Sequence, residues 1–325
     1  MPGLGDRKYR ETRAFGGGTR LALAFAAVAH PRRIVPYETY LITRRCYQRT
    51  FRLRPCAKTN AIFLYCLALA MEKTGVLLHA ACVMSNHHHL VVTDPRGTLP
   101  DFLRELHRLT AKALNASQGQ WENLWAAEPC NVVRLVTDGD VEDKLAYVIA
   151  NPVAAGLVER PDEWPGVLLW GQKSLRVARP ESYFREDGHC PAHLRLQVEP
   201  PAVRDGEAES SRDWRERMAR AIAAKVTAAH ESLRAAGRAF IGRAGVCAAS
   251  FIQRAQSYEE KRGVIPTFAA RLRTVRERLR RLEQHFRRRY RVALAAWRAG
   301  LREVEFPMGT WGMRVLHGAV VEATA

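Results

Sequence analysis

Two short runs in this 325-residue chain carry side chains able to do chemistry. The first is Asn86-His87-His88-His89-Leu90. On an extended strand successive side chains point to opposite faces, so His87 and His89 share one face and His88 takes the other. Two imidazoles on one strand face can grip one metal ion, although adjacent histidines also occur in turns as hydrogen-bonded surface groups. Zinc sites usually show longer spacings and a Cys partner, and both are absent here. The second run is Tyr147-Val148-Ile149-Ala150-Asn151-Pro152. On a helix Tyr147 and Asn151 lie one turn apart on one face, with roughly 6 Å between their Cβ atoms. A phenol and an amide then look into the same space. The plainer reading is a half-buried aromatic followed by an Asn that caps the helix before proline.

The elements around these runs would have to position them. Tyr40, Ile42 and Arg44 alternate with Leu41 and Thr43, which reads as a strand over Thr39–Cys46. The run from Thr59 to Thr74 has helical length and stops at Gly75. Val76–Met84 and His87–Thr93 form a hairpin about Ser85-Asn86. Phe102, Leu103, Leu106, Leu109 and Leu114 mark one face of a helix from about Leu99 to Ala116, and Cys130–Val136 is a fourth strand. A helix capped by Thr137 or Asp140 carries Tyr147 and is expected to end at Asn151, because Pro152 follows. The order β-α-β-β-α-β predicts an α+β chain built on a ferredoxin-like, split βαβ antiparallel sheet, with helices on one face and the other face free. Residues 1–30 read as an N-terminal extension, 31–170 as the core, and 171–204, rich in Pro, Gly and charge, as a linker. Residues 205–325 read as a basic, mainly helical region with one long helix over Arg271–Gly300 and a short closing β element between Phe306 and Val321.

A hydrophobic share of 47% supports a real core, and a net charge of +18 makes a polyanion the leading partner. The charge is concentrated: from Arg212 to Arg302 there are 23 Lys and Arg against 7 Asp and Glu. No apolar span is long enough for a membrane helix, which favours nucleic acid over lipid. The seven cysteines are scattered, odd in number and without a C-x-x-C pair, as expected for reduced thiols in the cytoplasm. The apolar run Leu21–Ala29 mimics a short signal peptide but carries no stop-transfer pattern, so it is read as part of the extension.

Taken together and in order, the two chemical runs resemble a known family, the REP-associated tyrosine transposases of the HUH single-tyrosine class. The residues that carry the resemblance are Met84-Ser85-Asn86-His87-His88-His89-Leu90 and Tyr147-Val148-Ile149-Ala150-Asn151-Pro152-Val153-Ala154-Ala155-Gly156-Leu157-Val158. The strand Thr39–Cys46 with Gln48-Arg49, and Asp162-Glu163-Trp164-Pro165, are similar too, so the resemblance spans about Pro31 to Trp170. It implies that His87, His89 and Asn151 ligate a divalent ion, Mg²⁺ or Mn²⁺, and that Tyr147 is the nucleophile. His88 stands where an apolar residue is usual in the family. The implied reaction cuts and rejoins single-stranded or hairpin DNA through a 5′-phosphotyrosine. A phenol with pKa near 10 is a weak nucleophile at neutral pH, so it needs a base or a phosphate activated by a metal.

Arg44, Arg45, Arg49, Arg271, Arg278, Arg287, Arg288 and Arg289 are the arginines expected to contact DNA phosphates. Phe286, Tyr290 and Trp297 interleave with the last of them as stacking or core groups. The expected protein is a monomer or homodimer in the cytoplasm, at the nucleoid, with no membrane association. The alternative is a non-catalytic nucleic-acid-binding protein on a ferredoxin-like sheet, a module that usually displays aromatic residues on its free face. Relaxase or replication-initiator chemistry shares the paired histidines but not the Asn-Pro-x-x-Ala-Gly-Leu context.

Overall fold

A computed structural model of the chain describes residues 31–180, 184, 190–203, 210–256 and 266–323. The expected extension 1–30, with its Leu21–Ala29 run, lies outside the described residues. The chain is α+β, and its first elements follow the anticipated order. They are β1 (Glu38–Arg45), α1 (Ala57–Thr74), β2 (Leu77–Val83), β3 (His87–Asp94), α2 (Leu99–Gln118), β4 (Asn131–Leu135) and α3 (Asp138–Ala154). Then come β5 (Leu168–Trp170), β6 (Lys173–Ala178), β7 (His193–Val198), α4 (Ser211–Ala235), α5 (Gly242–Ala248), β8 (Phe268–Ala269), α6 (Arg273–Arg298) and α7 (Trp311–His317). The main sheet runs β5-β2-β3-β1-β4-β8. Its inner four strands, β2-β3-β1-β4, pair antiparallel throughout, which is the ferredoxin-like order.

Local chemistry sets the element ends. The Sγ of Cys56 accepts from the Thr59 N–H and opens α1, and Gly75, at φ 73°, closes it in the left-handed region that a side chain rarely adopts. Thr137 and Asp140 exchange hydrogen bonds in a capping box at the start of α3. That helix does not stop at Asn151 as expected: Pro152 lies inside it, two residues before its end. Proline there forfeits one N–H bond, to the Val148 carbonyl, and the last turn is closed by Ala155 N–H to Asn151 O.

Both faces of the sheet are covered, so the free face anticipated above does not exist. On the first face, Ile42, Leu90 and Val92 pack with Phe63, Leu67, Phe102 and Leu106 of α1 and α2. On the second, Leu41, Val91 and Val133 pack with Val141, Leu145, Val148 and Ile149 of α3, and with Trp214, Met218 and Ile222 of α4. The physical reason is the alternation of β1, β3 and β4, whose apolar residues point both ways and need two helical layers. Residues 171–204, expected as a linker, hold the ribbon β6–β7, in which Leu194, Leu196 and Val198 are buried between exposed His193, Arg195 and Gln197. The prolines flank these strands instead of interrupting them. The region from residue 205 is likewise not apart from the core, since α4 completes the second face and β8 lengthens the sheet beside β4. Toward the C-terminus, α6 and α7 gather a third small cluster of Ala293, Phe306, Met313 and Ala319. The closing β element reduces to one parallel bridge, Phe306 to Val321, with α7 between.

His88 points into the first face and is fully buried. Its Nε2 meets His107 Nε2 of α2 at 3.0 Å, and its ring packs against Phe63 and Trp125. Burial first, and then the charge of Arg44, depresses the His107 pKa to about 3. The folded chain therefore holds this imidazole neutral, while the unfolded chain protonates it near 6.5. Stability is lost as pH falls from about 6.5 toward about 3, and His107→Phe is expected to shrink that loss in urea unfolding series taken at several pH values. An unchanged pH slope would place the acid sensitivity elsewhere. A second expectation concerns α4. Trp214→Ala should cost about 3–5 kcal/mol in guanidinium unfolding, whereas Trp121→Ala, at a side chain that is 93% exposed, should stay within about 0.5 kcal/mol.

Candidate active site

The strand period separates the three histidines. On β3, His87, His89 and Val91 face α3, while His88, Leu90 and Val92 face α1 and α2. Because α3 lies across the first set, Tyr147 is brought to His89, with ring centroids 5.4 Å apart in an edge-to-face arrangement. Tyr147 is 39% exposed, so its ring is held while its side chain still meets solvent. Asn151 follows one turn later on α3 and is buried. Lys144, one turn earlier, sets its Nζ 5.8 Å from the centre of the Tyr147 ring.

The two facing imidazoles meet through Nε2 atoms 3.1 Å apart. Each Nδ1 has its own oxygen partner: Asn86 Oδ1 at 2.6 Å for His87 and Thr43 Oγ1 at 2.8 Å for His89. Asn86 Oδ1 can only accept, so His87 Nδ1 carries the proton and His87 Nε2 presents a lone pair. Thr43 can donate or accept. With Thr43 donating, His89 Nε2–H closes a hydrogen bond onto His87 Nε2. With Thr43 accepting, both Nε2 atoms present lone pairs to the same point, an arrangement that calls for a cation. Two ligand atoms at right angles and about 2.1–2.2 Å from one ion stand about 3.0–3.1 Å apart, so the observed separation suits a pair of adjacent ligands. Burial, reinforced by the neighbouring His87 and Arg45 side chains, pushes the His89 imidazole well below its usual pKa and keeps it in the neutral form that a metal requires.

Among the described residues no three His, Cys, Asp or Glu side chains gather as a metal group. Asn151, expected as the third ligand, is the amide on the facing helix α3, one turn beyond Tyr147. That donor set fits an ion of intermediate hardness that keeps positions open for phosphate oxygens.

The arginines expected at DNA divide into two sets. Arg44 gives its guanidinium to the carbonyls of Glu128 and Ala126, at 2.6 and 3.0 Å, and holds the loop after α2. Arg271 bonds Asp143 at 2.6 Å, Arg287 bonds Glu283 at 2.9 Å, and Arg289 bonds Glu322 at 3.0 Å. Arg45, directly opposite His87 in the β1–β3 register, is exposed, as are Arg278 and Arg288 of α6. Arg49 is half-buried in a turn at φ 59° beside Asn86, whose side-chain amide reaches the Arg49 carbonyl at 3.4 Å. Sequence reasoning passed over Thr43, Asn86 and Lys144. The first two could have been found from strand register, since Thr43 pairs with His89 across β1–β3. A cluster around Asp143 was also missed. Burial works against its charge, but hydrogen bonds from Lys225, Lys144 and Arg271 hold its carboxyl well below the usual range.

No family model and no curated protein matches this sequence. Among solved structures it is similar to a REP-associated tyrosine transposase bound to a REP hairpin, 17% identical over 42% of this chain and 78% of that one, at a TM-score of 0.36. It is also similar to a Deinococcus radiodurans protein assigned as a transposase, 20% identical over 35% of this chain and 91% of that one, at a TM-score of 0.27.

Thr43 is the side chain whose two hydrogen-bonding roles let His89 present its lone pair. Thr43→Val is expected to weaken Mn²⁺ binding about 10–100-fold in calorimetric titration, while Thr43→Ser retains it. Equal affinity in Thr43→Val would remove the hydroxyl from the account.

Proposed function

We propose that this chain is a metal-dependent transposase that cleaves and rejoins single-stranded, hairpin-forming DNA through a covalent 5′-phosphotyrosine at Tyr147. One observation carries the reading: the facing Nε2 atoms of His87 and His89, 3.1 Å apart, lie beside the ring of a partly exposed tyrosine, 5.4 Å from His89. A nucleophile and a ligand pair on two different elements converge, which neither motif requires alone.

His87, His89 and Asn151 would hold Mg²⁺ or Mn²⁺, which supplies charge neutralisation and polarisation at the scissile phosphate. The chain's own groups do the rest. Tyr147 Oη attacks phosphorus in line, its proton passing to solvent, and the bond from phosphorus to the 3′ oxygen breaks. The 3′ oxygen leaves with a proton, and the strand's 5′ phosphate stays on Tyr147. Attack by another 3′-OH reverses the step, so no external energy source is needed. Lys144, paired with Asp143, lies 5.8 Å from the centre of the Tyr147 ring and adds positive charge to the side of the site where the phosphate would bind. Arg45, Arg49, Arg278 and Arg288 supply electrostatic attraction for the strand. The non-catalytic alternative draws no support from the fold, because the sheet face it would use for stacking bases is covered by α3 and α4.

Labelled single-stranded hairpin DNA incubated with the protein and Mn²⁺ should yield a denaturant-resistant adduct. Tyr147→Phe should abolish the adduct and leave DNA binding nearly unchanged. His87→Ala and His89→Ala should each remove metal-dependent cleavage. Cleavage by Tyr147→Phe at the wild-type rate would place the nucleophile elsewhere.

A further inference from the structure

On the side of the sheet opposite Tyr147, the chain encloses a second polar site. Residues 32–34, β1, β4, the start of β8 and the first half of α6 surround a cavity of about 40 Å³. Its polar lining is Arg32, Arg33, Tyr40, Arg134, Thr267 and Glu283. One water needs roughly 10–15 Å³ of such space, so the cavity has room for about three waters or one tetrahedral oxyanion, and none for a base or a sugar.

Most of these groups are already engaged. Arg134 pairs with Glu38 at 3.1 Å, Arg32 donates to the Cys130 carbonyl, and Glu283 receives Arg287 at 2.9 Å. Two groups are left over. Arg33 is half-buried and has no hydrogen bond or ion pair among the described residues. Its stem is pinned where Gly309, at φ 92°, leaves room: a Cβ on that glycine would stand 2.7 Å from Arg33 Cγ. Burial and the nearby charge of Arg134 both press the Arg33 guanidinium toward losing its proton, with Glu38 and Glu283 offsetting only part of that. Tyr40 is 2% exposed and its hydroxyl has no hydrogen-bond partner; it feels the Val35 main-chain N–H, but no hydrogen bond closes. An unmatched guanidinium and an unmatched phenol therefore line one small cavity. Three guanidiniums line it against one carboxylate, Glu283, which already holds Arg287, while Arg134 is paired with Glu38 outside the lining.

We propose that this cavity is a binding site for a phosphate group, with Arg33 and the Tyr40 hydroxyl as its donors and Arg134 at its rim. Guanidinium forks match the oxygens of phosphate, and a buried phenol gains its missing acceptor. The group could be supplied by free inorganic phosphate or by the terminal phosphate of a nucleic-acid strand, which share this chemistry. The site does not depend on Tyr147 or on the metal ligands.

Thermal unfolding of the full chain in phosphate and in chloride at equal ionic strength tests the proposal, with affinity then measured by calorimetric titration of inorganic phosphate. Phosphate should raise the wild-type Tm saturably above the chloride value. Tyr40→Phe and Arg33→Gln should each weaken phosphate binding about tenfold or more, while Tyr147→Phe leaves it unchanged. Equal Tm in the two salts, or wild-type affinity in both Tyr40→Phe and Arg33→Gln, overturns the site. The source is read from oligonucleotides with and without a 5′ phosphate. Tighter binding of the phosphorylated strand by the wild type, lost in Tyr40→Phe, assigns the strand end, and no difference assigns free phosphate.

Discussion

The alternation of side chains along β3 is the constraint on which the rest of the molecule turns. A strand with helices on one face could leave its other face to solvent, and His87 and His89 would then be two surface imidazoles. Here α3 and α4 close that face with an apolar layer of their own, so the two histidines sit at the margin of a packed interface. One of them, His89, is buried. Register follows from this arrangement. A slip of one residue would drive His87, His89 and Val91 into the α1–α2 core and expose Leu90 and Val92 to the space under α3. The hydrogen-bonded pair His88–His107 adds a further lock on the opposite face.

Burial alone would not make the pair a ligand set. What orients it is the outer shell, in which Asn86 and Thr43 each engage one Nδ1 and turn both Nε2 atoms toward each other. The same low-dielectric surroundings hold His89 neutral. The helix that covers the face also brings the phenol, because Tyr147 lies on the stripe of α3 that ends against β3. Packing, tautomer and nucleophile placement thus come from one contact between a helix and a sheet. Charge is handled separately: carboxylates of the chain already hold Arg271, Arg287 and Arg289, and the exposed remainder of α6 keeps a strongly positive field.

Much of this was legible in the sequence, for identifiable reasons. Strand and helix periods, the Gly75 stop and the Thr137 cap located the first seven elements, because each of these is a local signal. The covering of the second face was not legible, since it depends on α4 arriving from some 60 residues beyond α3. Nor was the β6–β7 ribbon, whose prolines and charges masked an alternation of Leu194, Leu196 and Val198. Pro152 disfavours helical backbone at the residue before it, which is why the sequence points to a stop at Asn151, yet so near the helix end α3 absorbs it and runs on to Ala154. At the site, the residue types of His87, His89 and Tyr147 stood out. Thr43 and Asn86 did not, because threonine and asparagine carry no signal until a register places them opposite an imidazole. Arg44 carries a role its charge did not signal: its two terminal guanidinium nitrogens hold the carbonyls of Glu128 and Ala126.

The central claim is that this helix-on-sheet contact makes Tyr147 a nucleophile toward DNA. Its most direct measurement is mass spectrometry of peptides from wild-type protein incubated with single-stranded hairpin DNA and Mn²⁺. The account predicts a nucleotide joined through its 5′ phosphate to the peptide that contains Tyr147. Linkage at another tyrosine, or the absence of any linked peptide while the DNA is cut, would contradict it.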